Sequence, residues 1–481
     1  MSRGRLLKGG AWLSAGNGLS AVFSFLRNIV IARLISVEDF GVVVLLSLVV
    51  AAVETISNLA IDRLLVQAPD GDDPQLQATA HMLQVARGII GALLVFFTAT
   101  MLAALFNVPH AGWAFQVLAL APLIRSLAHL DTVRLQREMV FQPTFWGIAV
   151  PAGLSLALAV PFAYWLRDYS VIVWATLLQL LAQTVISHLL ASRPYRWAWN
   201  RVVATRILSF GWPLLANGLV MFAVFQGDKA IIAVAFTPEV VGWYGAAFML
   251  TLAPAMFVTS VIQSLLLPLL SRYQNTSGDF WRRSDQTEQL CFALGFLIAV
   301  VFLILGPELL MVLFGSRYRD GAVIVMLLGL AQGFRVAKAG QFLSSVALAR
   351  TTDPLVANIA RGAALLAAVP LVASGFGPFT VALTGVVGEF ASYLFAVFLL
   401  SKSSEHATRP RFFRSGAALI LLVLSIGGGT TVRDHVSAFA YHVFGFAWIM
   451  VSMGAMVALS PVLRAPLVQM IKKSQKDGAP R

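Results

Sequence analysis

Long apolar segments, separated by short polar turns, recur along almost the whole chain. An α-helix needs about 20 apolar residues to cross a bilayer, so the pattern predicts fourteen membrane-spanning helices. The strands of a membrane β-barrel would be about half as long and would alternate between apolar and polar residues. The predicted fold class is therefore an all-α integral membrane protein, with spans at residues 11–36, 40–61, 78–106, 113–133, 142–165, 170–190, 210–236, 239–270, 288–314, 321–349, 355–374, 377–401, 415–432 and 438–460.

Two sequence echoes, separated by about 200 residues, indicate an internal repeat. Residues 36–41 (Ser-Val-Glu-Asp-Phe-Gly) follow the first span, and residues 237–242 (Thr-Pro-Glu-Val-Val-Gly) follow the seventh. Leu-Phe pairs precede both the fourth and the tenth span. Each copy has six spans, so both enter the membrane from the same side, and we predict two pseudo-symmetric six-helix lobes. The predicted boundaries are 1–209 for the N-terminal lobe, 210–414 for the C-terminal lobe, and 415–481 for two additional C-terminal helices with a basic tail.

The composition agrees with a membrane protein. Hydrophobic residues make up 58% of the 481 residues, charged residues make up only 12%, and the mean hydropathy is +0.81. A soluble protein of this length would need more charge to cover its surface. Cys291 is the only cysteine, which excludes an internal disulfide.

The net charge of +13 raises the question of a nucleic-acid partner, but the placement of the charges argues against one. Most basic residues lie in short loops on one side of the predicted spans, and the loops on the other side hold only Arg167, Arg317, Arg319 and Arg433. The positive-inside rule then places both termini in the cytoplasm. The first apolar stretch has no small-residue cleavage site, so we expect no cleavable signal peptide.

The tenth predicted span, residues 321–349, carries two basic residues near its middle. At about 100° per residue, Arg335, Lys338, Gln341 and Ser345 share one side of a helix. A cation at the bilayer centre costs about 2.5–3.5 kcal/mol. Two cations one turn apart therefore need water, a counter-ion or an anionic ligand, and we expect them to line a cavity for an anionic substrate.

Other cations also lie within the spans. Arg125 is near the centre of the fourth span and shares a polar face with His129, while Arg27 and Arg87 have intermediate depth. Two further cations lie within about two turns of a predicted helix end, where snorkelling to the lipid headgroups is the better explanation: Arg33 and Arg361.

The acidic residues within the spans are fewer than the cations. Glu54, Asp228, Glu308 and Glu389 are the deep acids, and Lys229 lies next to Asp228. Simple structural pairing is the alternative to a binding cavity, but pairing cannot neutralise every deep cation. Four residues are candidates for a counter-ion or an ion-coupling group: Asp228, Lys229, Glu389 and His129.

The chain carries no recognisable motif for catalysis or cofactor binding. A P-loop, a dinucleotide-binding glycine motif and a Gly-x-Ser-x-Gly elbow are all absent, and the histidines lack the spacing of metal ligands. We therefore expect no enzyme activity, no catalytic residue, no cofactor and no metal site. Transport would then draw on an ion gradient, the membrane potential or the gradient of the substrate itself.

Several short motifs resemble a known family. The chain has a basic amphipathic start, then Arg33-Leu34 followed by Glu-Asp-Phe-Gly at 38–41, and Asp228-Lys229 before Val-Gly-Trp-Tyr at 241–244. These features resemble the polysaccharide transporter (Wzx-type flippase) family of the multidrug/oligosaccharidyl-lipid/polysaccharide exporter superfamily. The resemblance implies two six-helix lobes facing each other in a V, plus two trailing helices.

The resemblance also implies a function. Members of the family flip undecaprenyl-diphosphate-linked oligosaccharide repeat units across the bacterial inner membrane, for O-antigen, capsule or exopolysaccharide synthesis. Its partners would be this lipid-linked substrate, the membrane lipids and, as a further hypothesis, polysaccharide polymerase and chain-length proteins. Arginine can bind phosphate bidentately, so we hypothesise that deep cations hold the diphosphate while the lobes alternate between two openings: Arg125, Arg335, Lys338, Arg27 and Arg87.

Other functions stay open at this point. A lipid II flippase handles a similar lipid diphosphate, and a drug/cation antiporter belongs to the same superfamily, although its pocket is expected to carry an excess of acids. A polysaccharide polymerase or ligase would need a large external loop, and every predicted external loop is short. A non-transporting scaffold is the plainest alternative.

Overall fold

The computed structural model describes residues 3–402 of the chain, and these residues fold almost entirely into helices. The predicted spans at 415–432 and 438–460 lie outside the described residues. Two short 3-10 turns, Pro109–Ala111 and Ser316–Gly321, join longer elements. The sixteen α-helices of the described part are α1 (Arg3–Leu34), α2 (Val37–Ile56), α3 (Ile61–Gln67), α4 (Pro74–Leu105), α5 (Gly112–Leu118), α6 (Leu120–Ser126), α7 (Asp131–Arg137), α8 (Gln142–Leu166), α9 (Ser170–Leu189), α10 (Arg201–Ala235), α11 (Pro238–Arg272), α12 (Ser277–Phe314), α13 (Ala322–Ala337), α14 (Ala339–Ala347), α15 (Thr352–Ala373) and α16 (Phe379–Ser401).

Eleven of the first twelve predicted spans are confirmed. Within residues 3–402, eleven helical segments are long and apolar enough to cross a membrane. The fourth predicted span is instead a bent pair of helical segments, Pro109–Ser126 and Asp131–Arg137, which meet at 44° as in a broken span or a re-entrant loop. The tenth predicted span is one span, in which a single residue with helical backbone angles, Lys338, joins α13 to α14.

The break in the fourth span is stable because side chains replace the lost helical hydrogen bonds. The amide nitrogen of Gln84 donates to the carbonyl oxygens of Ser126 (2.9 Å) and Ala128 (3.1 Å). The Thr184 hydroxyl donates to the carbonyl of Ile124 at 2.9 Å. Polar residues of α4 and α9 therefore help to hold the bend, together with the Ser126 hydroxyl of the fourth span, which donates to the carbonyl of Leu123 at 2.6 Å.

The chain packs as two compact units, Met1–Gly245 and the part from Ala246 onward. In the first unit α1 packs on α8, α8 on α9, and α4 on α5 and α6. In the second unit α12 packs on α13, and α16 packs on both α13 and α15. In this division α10 lies with the first unit, because it contacts α2, α3 and α4. The predicted lobes, with their boundary at 209/210, stay a prediction.

The two echoed motifs of the sequence contact each other within the first unit. Val37 and Pro238 are the first residues of α2 and α11, and each helix carries a glycine four residues later. A Cβ atom built on Gly41 would lie 1.7 Å from the carbonyl oxygen of Pro238, and one on Gly242 would lie 2.4 Å from that of Val37. Each glycine therefore lets the start of the other helix approach its backbone.

Replacing Gly41 with alanine tests this contact. The added methyl group would overlap backbone atoms, which cannot rotate away, so we expect a loss of about 1–3 kcal/mol in stability. The measurement is thermal unfolding of the purified protein in detergent.

The matched control is Gly385→Ala in α16, where nothing lies within 4 Å of the added atom. Alanine favours a helix over glycine by up to about 1 kcal/mol, so this control should be neutral or slightly stabilising. Equal melting temperatures for the two variants would contradict the close contact.

Candidate functional site

A single buried carboxylate gathers three cations in the second unit. Glu389 of α16 is only 1% exposed. Its carboxylate accepts from the Lys338 ammonium at 2.6 Å and from the Arg335 guanidinium at 2.8 Å. The guanidinium of Arg361 lies 3.0 Å from the same carboxylate. Charge-assisted hydrogen bonds of this kind are about twice as strong as neutral ones.

Lys338 lies at the junction of α13 and α14. It joins the two helices with helical backbone angles, and its ammonium also donates to the Ser392 hydroxyl at 2.9 Å. The four residues of the predicted face do not share one partner. Arg335 and Lys338 contact Glu389, whereas the Ser345 hydroxyl donates to Asp353 at 3.1 Å.

The expectation that Arg361 snorkels to the headgroups is wrong. Its side chain is buried, with 7% exposure, and it pairs with Glu389. The cause is the close packing of α15 on α16, where a Cβ built on Gly388 would lie 3.0 Å from the Arg361 carbonyl oxygen. The Arg361 guanidinium therefore pairs with the Glu389 carboxylate of the adjacent helix.

Positive charge exceeds negative charge in this cluster of Arg335, Lys338, Arg361 and Glu389. Buried ions are stable only when paired and hydrogen-bonded, and one carboxylate here serves three cations. The most accessible of the three is Arg335, whose side chain is 15% exposed. The cluster can therefore attract an anion, and Arg335 is the group that would meet it first.

The first unit carries a second charged site, a cavity of about 480 Å³. Arg125 and Glu54 form an ion pair of 2.8 Å at its wall, with side chains 45% and 32% exposed. Three cations and two acids line the cavity, so its net charge is also positive. Its charged and amide-bearing lining residues are Glu54, Asn58, Asp62, Arg63, Arg87, Arg125 and Asn217.

The broken fourth span positions Arg125, which lies next to the last residue of α6. Gly88 of α4 permits the close approach of α6, because a Cβ atom there would lie 2.1 Å from the Ser126 hydroxyl oxygen. Arg87, the neighbour of this glycine, lines the same cavity. The structure thus brings the predicted pair Arg125 and Arg87 together.

Arg27 lies apart from this cavity, between α1, α8 and α9. Its guanidinium donates to the Ser155 hydroxyl at 2.9 Å and to the Gln179 amide oxygen at 2.8 Å. Within residues 3–402 it makes no ion pair. Neutral hydrogen-bond acceptors therefore replace part of the water that the Arg27 guanidinium loses on burial.

The other predicted residues also lie outside the two charged sites. Asp228 accepts from the Tyr244 hydroxyl at 2.9 Å, and Lys229 donates to the Gln226 amide oxygen at 2.8 Å. His129 is buried in a cluster of rings, with its ring centroid 4.9 Å from that of His81. In the part of the chain that the structure describes, no group of three residues could hold a metal ion.

Sequence reasoning missed several members of these sites, among them Arg361 and Arg63. Arg361 was assigned by its distance from a helix end, and its partner Glu389 is 28 positions away in the sequence, so no local pattern marked it. Arg63 was treated as a loop charge that sets topology, but it lines the cavity of the first unit. Both errors arise because the position of a residue along its own helix does not show which residues of neighbouring helices it contacts.

Replacing Glu389 with glutamine would remove the buried negative charge that Arg335, Lys338 and Arg361 share. Losing one partner of a buried ion pair costs about 3–5 kcal/mol, so we expect a large fall in the thermal unfolding midpoint in detergent. Glu54→Gln makes the same chemical change in a half-exposed pair, where the loss should stay within about 1 kcal/mol. Similar shifts for both variants would mean that the Glu389 cluster is not a buried ion network.

Three comparisons place the chain among known proteins. The sequence profile of the family described as "Polysaccharide biosynthesis protein" matches residues 30–323. The lipopolysaccharide biosynthesis protein WzxC of Escherichia coli (strain K12) is 22% identical over 312 residues, which cover 64% of this chain and 61% of WzxC. The succinoglycan biosynthesis transport protein ExoT of Rhizobium meliloti (strain 1021) is 24% identical over 314 residues, or 63% of this chain and 61% of ExoT.

The chain therefore spans less than two thirds of the length of these two relatives. The fold is shared with a solved structure, the lipid II flippase MurJ in an inward closed conformation. The TM-score is 0.71, and the match covers 93% of this chain and 98% of MurJ at 14% identity. The predicted all-α membrane fold is thus confirmed.

Proposed function

The chain belongs to the polysaccharide biosynthesis protein family, and from this we propose that it flips polyprenyl-diphosphate-linked oligosaccharides across the bacterial inner membrane by alternating access. The substrates would be repeat units of O-antigen, capsule or exopolysaccharide. The names of WzxC and ExoT, which refer to lipopolysaccharide biosynthesis and succinoglycan transport, support this class of cargo. We propose a transporter and no enzyme, with both termini in the cytoplasm.

The observation that carries the proposal is the Glu389 cluster, where three cations share one carboxylate. A lipid diphosphate must bring at least two negative charges into a layer of low dielectric. Fixed guanidinium and ammonium groups can replace the water that its phosphates lose. A phosphate oxygen can also take the place of the Glu389 carboxylate beside Arg335, the most exposed of the three cations.

The cavity of the first unit would give a second contact for the diphosphate or its first sugars. Arg125 and Arg87 supply positive charge, and the Asn217 and Asn58 amides supply hydrogen-bonding groups that suit sugar hydroxyls. Arg27 stays a predicted ligand of the diphosphate, although it lines neither site. The coupling roles of Asp228, Lys229, Glu389 and His129, and the partnership with polymerase and chain-length proteins, stay predictions.

A second candidate function is lipid II flipping, which the fold shared with MurJ favours. A drug/cation antiporter is less suitable, because both charged sites have an excess of cations. The two flippase functions require the same phosphate chemistry and differ in the sugars, so supplying each lipid in turn separates them.

The test is a flipping assay in proteoliposomes with a polyprenyl-diphosphate oligosaccharide, using the triple variant Arg125→Ala/Arg335→Ala/Lys338→Ala. Each hydrogen bond to a charged group contributes about 1.5–3 kcal/mol, so we expect flipping to fall by far more than tenfold. The variant retains the Arg361–Glu389 pair, which keeps the second unit's carboxylate neutralised.

Arg282→Ala is the control for this assay, because Arg282 makes only an exposed pair with Asp279. It should flip at the rate of the unmodified chain. Full flipping by the triple variant, with folded protein confirmed by gel filtration, would refute the proposed phosphate ligands. Flipping of lipid II alone would favour the second candidate function.

A further inference from the structure

The segment between α9 and α10 exposes aromatic and basic side chains side by side. It reads Arg-Trp-Ala-Trp-Asn-Arg at residues 196–201. Trp197 is 61% exposed and Trp199 is 57% exposed. Arg196 and Arg201 are also exposed, and neither makes an ion pair within the described residues 3–402. Two large apolar rings and two unpaired cations thus face outward together.

Buried side chains bind the backbone of this segment and of the residues just before it, although the segment has no regular secondary structure. The backbone N–H groups of Ser192 and Arg193 donate to the buried carboxylate of Asp131, at 2.7 Å and 3.3 Å. A ring nitrogen of His81 lies 3.2 Å from the carbonyl oxygen of Arg196. The Trp197 ring packs on Tyr195, with 6.3 Å between the ring centroids. These contacts fix the backbone from which the exposed side chains project.

An ion pair also anchors the first turns of α10. The Arg206 guanidinium donates two hydrogen bonds to the Asp70 carboxylate, at 2.6 Å and 2.8 Å. These hydrogen bonds hold the pKa of Asp70 below its ordinary value. The pair therefore stays charged at neutral pH, and it leaves Arg201 as the unpaired cation at the start of the helix.

One face of α10 continues the exposed segment. At 100° per residue, Arg201, Thr205, Leu208 and Trp212 lie on the same side. Arg201 and Thr205 border an open groove of about 470 Å³, together with Ser209. Leu208 and Trp212 are exposed farther along the helix. With a rise of 1.5 Å per residue, Trp212 lies about 16 Å from Arg201.

We propose that residues 196–212 form a docking surface for an anionic phospholipid. The Arg201 guanidinium and the Thr205 hydroxyl would bind the headgroup phosphate, and Arg196 would add positive charge. Trp197 and Trp199 would lie in the headgroup layer, where tryptophan is enriched in membrane proteins. The acyl chains would run along Leu208 and Trp212. The change from cationic to apolar residues matches the depth of one leaflet.

The charge of the surface selects the class of lipid. A cationic surface attracts the anionic lipids of the cytoplasmic leaflet, and it has no electrostatic preference for a zwitterionic lipid. In the orientation proposed above, this surface lies on the cytoplasmic side. The inference does not depend on which oligosaccharide the protein flips, since it needs no substrate.

The experiment measures lipid selectivity by electron paramagnetic resonance. The full-length protein is reconstituted in phosphatidylcholine bilayers that contain spin-labelled phosphatidylglycerol or spin-labelled phosphatidylcholine. The ratio of the two association constants should favour phosphatidylglycerol for the unmodified chain. Arg196→Gln/Arg201→Gln should lower this ratio by about fivefold for each arginine, the effect of one basic residue near a membrane surface.

Three controls separate charge, shape and position. Arg196→Lys/Arg201→Lys should retain most of the selectivity, because it keeps the charge. Trp197→Ala/Trp199→Ala should weaken the binding of both lipids equally and leave the ratio unchanged. Arg272→Gln removes an exposed arginine at the end of α11, outside residues 196–212, and should have no effect.

Two outcomes would overturn the proposal. Unchanged selectivity in Arg196→Gln/Arg201→Gln would place the lipid site elsewhere on the protein. Equal binding of the two lipids by the unmodified chain would exclude an anionic headgroup, and an acidic protein partner would then be the better occupant. The variants change exposed side chains only, so their thermal unfolding midpoints should match that of the unmodified chain.

Discussion

A positive charge inside a layer of low dielectric is stable only when another group replaces the water that it has lost. The second unit meets this constraint with Glu389, whose carboxylate binds three cations. Arg335 lies on α13, Lys338 at the junction of α13 and α14, and Arg361 on α15. The carboxylate holds these elements to α16 by ion pairs instead of apolar contacts alone. The same arrangement leaves more positive than negative charge, which is the property that a carrier of lipid diphosphates requires.

The two units place their cations in different environments. In the first unit Arg125 is 45% exposed beside a cavity, so water already shares in its solvation. In the second unit Lys338 is buried, and its ammonium donates to Glu389, to Ser392 and, at 3.5 Å, to the Asn358 amide oxygen. Both sites hold an internal carboxylate that would compete with an anionic ligand, but Glu54 of the first site is partly exposed to solvent, whereas Glu389 of the second is buried.

Hydropathy alone predicted eleven of the first twelve spans, because about 20 apolar residues have few alternatives to a membrane helix. Helical phase correctly grouped Arg335 with Lys338, and the sequence also marked Glu389 as a candidate counter-ion. The bend in the fourth span and the burial of Arg361 could not be predicted in this way. Both depend on close contacts between helices, such as Gly88 against Ser126 and Gly388 against Arg361, that no single-helix pattern contains. The ion-coupling roles suggested for Asp228, Lys229 and His129 stay predictions.

The reciprocal packing of Gly41 and Gly242 limits which side chains these two positions can carry. Gly41 contacts the backbone of Pro238, and Gly242 contacts the backbone of Val37. A bulkier residue at either glycine would push away the first turn of the other helix, so the starts of α2 and α11 can change only together. If the predicted internal repeat holds, this is a contact between corresponding positions of its two copies.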